Sequence, residues 1–84
     1  MRGQGNTRHR MAKFPRLREI REQVLGWEVV DLAAKLPDGK PSISSIYRLE
    51  QGGEIRVPNA RRVFDVVNQS LGNTLDASKE LIVK

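Results

Sequence analysis

The chain has no cysteine among its 84 residues, which excludes disulfides, thiolate metal sites and thiol nucleophiles together and suits a reducing interior. Histidine is nearly absent too. The single one, His9, falls in a stretch without apolar periodicity, so no fixed imidazole is expected for a metal or a proton relay, and no cofactor is assigned. No apolar run exceeds three residues, the longest being 32–34 and 81–83, whereas a membrane span needs about 20 and a signal-peptide core about 7 to 15. A cytoplasmic protein without a membrane segment is the expectation. A chain this short makes one small domain and buries only roughly 60 to 65% of its unfolded surface, leaving no volume for a deep substrate cavity. An enzyme is therefore not expected.

Acidic residues are missing from one end. Residues 1–18 carry Arg2, Arg8, Arg10, Lys13, Arg16 and Arg18 with no acid, whereas residues 19–84 have a net charge of −1, which together give the formal +5. This asymmetry suggests a basic arm over residues 1–14, disordered when free, on a nearly neutral domain over residues 15–84. Arms of this kind commonly serve a polyanion. Translation from Met11 would drop Arg2, Arg8 and Arg10 and leave +2.

Apolar periodicity predicts helices through the domain. Pro15 suits a first turn, and Leu17, Ile20 and Val24 form one stripe on a helix over about 15–24, ended by Gly26. Val29, Leu32, Ala33 and Leu36 make a second helix over about 28–36, with Glu28 and Asp31 at its positive end. The turn Pro37-Asp38-Gly39-Lys40-Pro41 leads to Ser42, an N-cap for a third helix over about 42–51, which Gly52-Gly53 stops. Its Ile46 and Leu49 face inward and leave Ser44, Ser45, Tyr47, Arg48 and Gln51 mostly outward. After a loop at 54–57, Asn59 is the expected cap of a fourth helix with Ala60, Val63, Phe64, Val67 and Leu71 buried. The end, 74–84, reads as a short helix capped by Asp76 or as extended chain. The fold class expected is all-α, a compact bundle of about four to five short helices.

Little here points to a reaction. Glu19 and Glu22 lie three apart on an exposed helix face, which gives solvated carboxylates and no catalytic pair. Gly39-Lys40-Pro41-Ser42 echoes a phosphate-binding loop only faintly, because Pro41 intervenes and Ala34 stands where the upstream glycine is needed. One constellation remains. Gly26-Trp27, Leu32-Ala33, Ser42 with Ile46, Leu49, Glu50 and Gly52, and then Pro58-Asn59, resembles the Cro/C1-type (XRE) family of helix-turn-helix DNA-binding regulators over about residues 16–72. The helix-turn-helix would span about 28–51.

That resemblance implies a lambda-repressor-like domain acting as a transcriptional regulator, as a repressor of its target genes. The third helix would enter a major groove, which accepts one α-helix, and read base edges with Ser44, Ser45, Tyr47 and Arg48, Arg48 bidentately to guanine. Phosphate contacts are expected from Lys40, Ser42, Arg56, Asn59 and Arg61, and from Arg10, Lys13 and Arg16 of the arm side. Arg21 and Glu50 would form a structural salt bridge, and Trp27 would join the core. One helix reads too few base pairs for specificity, so a homodimer on double-stranded DNA is expected, with Leu75, Leu81, Ile82 and Val83 as its surface. The sequence departs from the family at Val29, where glutamine is common, at Glu28, where a serine or threonine cap is usual, and in a longer stretch between Leu36 and Ser42. An alternative is a protein-interaction module, an adaptor or an antitoxin-like partner of a toxin, because Gly26-Trp27 and Leu71-Gly72-Asn73-Thr74-Leu75-Asp76 resemble the small antitoxins of persistence-type modules.

Overall fold

A computed structural model describes residues 10–84; the part of the expected arm that carries Arg2, Arg8 and His9 lies outside the described residues. The chain runs as β1 (Met11–Lys13), α1 (Leu17–Glu19, continued by a wider π-type turn over Ile20–Val24), α2 (Val29–Lys35), α3 (Ile43–Glu50), β2 (Ile55–Arg56), α4 (Val57–Ser70), α5 (Ala77–Glu80) and β3 (Ile82–Val83). A 3-10 turn, Pro37–Gly39, lies between α2 and α3. The described residues are thus mainly helical. They also hold a small antiparallel sheet of order β2-β1-β3, which corrects the all-α expectation.

The sheet also corrects the arm. Residues 11–13, expected in the arm, form β1, the central strand, with Ala12 opposite Ile55 on one side and Val83 on the other. Ala12 and Phe14 are fully buried, and the Phe14 ring meets Phe64 at 5.9 Å between centroids. Strands of two or three residues carry no readable alternation, and their partners lie far away in sequence, so only the assembled chain reveals them. For the same reason the expected loop at 54–57 is β2 followed directly by α4.

Helix boundaries follow local chemistry with two exceptions. In α1 the stripe breaks, since Val24 is 58% exposed. Amides there reach back five residues, as Leu25 N–H to Ile20 O at 2.9 Å, and the wider turn rotates position i+7 off a face calculated for 3.6 residues per turn. In α4 the cap is Arg56, and Asn59 sits inside the first turn, because Pro58 is accommodated at the second helical position. At the end both readings hold: Asp76 caps α5, accepting from Ser78 N–H at 2.9 Å, and β3 follows.

The core is one cluster in which Leu17 and Ile20 of α1, Leu32 of α2, Ile46 and Leu49 of α3 and Val63 and Val67 of α4 are essentially solvent-free. Helix α2 packs on α3, and α4 supports both the sheet and α2. No helix among the described residues is long and apolar enough to cross a membrane.

Candidate nucleic-acid interface

Helix α3 is positioned from both ends and from behind. Ser42 Oγ accepts from Ser45 N–H at 3.3 Å, which satisfies one free amide of the first turn. At the other end Gly52, at φ 88, takes the left-handed conformation that closes the helix. Ile46 and Leu49 fix its inner face in the core. Glu50 is turned away from the outer face: it accepts from Arg21 Nε at 2.6 Å and Nη2 at 2.9 Å, while Arg21 Nη1 donates to Trp27 O at 2.7 Å. The expected Arg21–Glu50 bridge therefore exists. It is bidentate, and its side chains are only 8% and 5% exposed. The hydrogen bond to Glu50 holds the Arg21 guanidinium above its ordinary pKa against the opposing effect of burial.

The outer face is left as a strip of hydrogen-bonding groups. Ser44, Tyr47, Arg48, Gln51 and Gly53 line one open depression, and Met11, Ser45, Arg48, Ile55, Arg56 and Asn59 line a second. Arg48 belongs to both and makes them continuous. Among the described residues, no acidic one lines either depression. Tyr47 and Gln51 also line a third depression, in which Glu22 and Glu50 are paired with Arg18 and Arg21 and Glu28 adds a carboxylate outside those pairs. A polyanion lying along α3 is thereby favoured on the Arg56 side and repelled on the Glu28 side. Glu28 itself is the N-cap of α2, in a capping box in which its own N–H donates to Asp31 Oδ2 at 2.8 Å.

The residues expected to contact DNA are distributed as follows. Ser44, Ser45, Tyr47 and Arg48 lie on the strip, and Arg56 and Asn59 join it through β2 and the start of α4. Lys40 is exposed in the connection before α3, Arg61 is exposed on α4, and the Ser42 hydroxyl is engaged as the cap. Arg10 adjoins Met11 of the strip, its Nε donating to Lys84 O at 3.3 Å and its carbonyl accepting from Val57 N–H at 3.0 Å. Lys13 lies on β1 opposite Ile82. Arg16 is not brought to the strip: it pairs with Glu80 at 2.9 Å and ties α1 to α5.

Of the expected dimer surface, Leu81 is withdrawn, because it is only 6% exposed and belongs to the core. Ile82 and Val83 remain exposed on the edge strand β3, and Leu75 is half-buried. Trp27 is also half-buried, packed against the core with Lys35 Nζ 4.9 Å from its ring centroid. Gln51, expected on the outer face of the third helix, lines the first depression, whereas sequence reasoning missed the contributions of Met11, Ile55 and Gly53 to the two depressions. Met11 and Ile55 had no signal because their places depend on β-pairing. No protein family, characterised protein or solved structure matches the chain.

Proposed function

We propose that the chain is a sequence-specific binder of double-stranded DNA, with a lambda-repressor-like arrangement of α2 and α3, and that it acts as a transcriptional regulator. The observation that carries this reading is the continuous strip centred on Arg48. It joins the outer face of α3 to Arg56 and Asn59 without an acidic residue among those described. A helix anchored from behind and free in front fits the width of a major groove, where Arg48 can donate two hydrogen bonds to guanine and the serines and Tyr47 can reach neighbouring edges or phosphates. Arg56, Arg61 and Lys40 supply cationic contacts to the backbone on either side. The Glu28 carboxylate beyond Tyr47 limits the docking direction.

One α3 reads only about four to five base pairs, so two copies on half-sites about one helical turn apart complete the recognition. The exposed Ile82 and Val83 at the sheet edge are the surface offered for that pairing. Selection of bound sequences from random duplex DNA tests the proposal directly. The expected result is a pseudo-palindromic consensus; recovery of no consensus at low salt overturns the reading. Binding to a protein by apolar surface would instead give a shallow salt dependence and no selected sequence.

A further inference from the structure

We infer that Gly53 is a positioning residue for Arg48, and that its missing side chain sets the base-pair discrimination of the α3 face; this inference rests on the DNA-binding reading above. Helix α3 ends with two paired bonds, Gly53 N–H to Arg48 O at 2.8 Å and Gly52 N–H to Leu49 O at 3.2 Å. In an ending of this kind the residue at position 53 commonly packs an apolar side chain back on the last turn. Here Arg48 takes that space. A Cβ placed on Gly53 would stand 2.7 Å from Arg48 Cγ, 3.0 Å from Arg48 O and 3.5 Å from Arg48 Cδ.

The need for glycine at this position is steric. Gly52 requires a left-handed backbone, at φ 88, whereas Gly53 is not among the positive-φ residues. Any larger residue at 53 forces the Arg48 stem off the backbone surface on which it lies. Among the described residues no hydrogen bond holds the Arg48 guanidinium, so packing along Gly53 is what restricts the stem before DNA arrives. Restricting a long side chain in advance lowers the entropic cost of docking and aims the guanidinium at one base pair.

The test compares the unsubstituted chain, Gly53→Ala, Arg48→Ala and the double variant, each on the selected DNA site and on that site altered at the base pair dependent on Arg48. Gly53→Ala is expected to reduce discrimination at that pair by roughly tenfold, with unchanged affinity for random DNA and a lowered Tm from the 3.0 Å approach to the Arg48 carbonyl. On the Arg48→Ala background it should have no further effect, since the two changes act through one side chain. In the free protein, a nuclear Overhauser effect between Gly53 Hα and Arg48 Hγ is expected, and its absence overturns the inference even where Gly53→Ala fails to fold. Unchanged discrimination in Gly53→Ala, or an equal loss on all sequences and both backgrounds, overturns the role of Gly53 alone. Failure of the unsubstituted chain to select any DNA overturns the reading beneath it.

Discussion

Arg48 and Glu50 stand two apart on one helix and have opposite surroundings. Arg48 is exposed on the strip, so Arg48→Ala should leave folding intact, lower discrimination at one base pair by about 1 to 3 kcal/mol and barely change binding to random DNA. Competition binding with single-base-pair variants of the selected site measures this. Glu50 is enclosed with Arg21, and Glu50→Ala leaves the buried guanidinium with only the partly exposed Glu22, 3.4 Å away, as counter-charge, at an expected cost of up to about 3 to 5 kcal/mol in urea unfolding followed by Trp27 fluorescence. Replacing both partners by apolar residues should cost much less, because no charge is then stranded. The Arg21 pKa is raised, so its stabilising contribution is complete below the unfolded value and is lost only as pH rises through the folded value, in strong alkali. The spacing of Ser42, Ile46 and Leu49 made the outward set of α3 legible at this scale. Arg16 was not legible, because its partner Glu80 lies 64 residues away.

Among the elements, α5 offers a test that separates its cap from the rest of the fold. Asp76 accepts from Ser78 Oγ at 2.7 Å and from Ser78 N–H at 2.9 Å, and these hydrogen bonds hold its carboxyl below the usual range. A depressed folded pKa means stabilisation that is present above the unfolded value and lost as pH falls through the folded one. Acidification should therefore fray Ala77–Glu80 as Asp76 protonates, visible as loss of amide protection in α5. Asp76→Asn, which keeps an acceptor but does not titrate, should remove the contribution of this cap to the pH dependence; unchanged acid fraying in that variant would show that another group controls it. The caps of α3 and α5 were readable because each uses a side chain within three residues of its amide partner. The strands and the π-type turn of α1 were not, since periodicity at 3.6 residues describes neither a two-residue strand nor a widened turn.

For the whole molecule, the division between arm and domain decides what truncation does. Removing residues 1–9, with Arg2 and Arg8, should weaken binding to every DNA sequence and flatten its salt dependence, since every phosphate no longer neutralised by the protein reduces the slope of log K against log salt by about 0.9. Removing residues 1–14 should instead unfold the domain, because it deletes the central strand with the fully buried Ala12 and Phe14. Calorimetry with binding titrations at two salt concentrations distinguishes these outcomes, and a folded 15–84 fragment would contradict the role given to β1. The sequence by itself determined α2, α3 and most of α4, their inward faces and the outward set on α3. Those features depend on residues a few positions apart, whose geometry the helix supplies. Only the tertiary structure decided that residues 11–13 form the central strand rather than arm, with Ala12 in the core, that Leu81 is buried, that Arg16 is held by Glu80, and that Arg56 and Asn59 continue the strip from Arg48. Each of these depends on segments far apart in the chain, whose pairing becomes favourable only when the core brings them together.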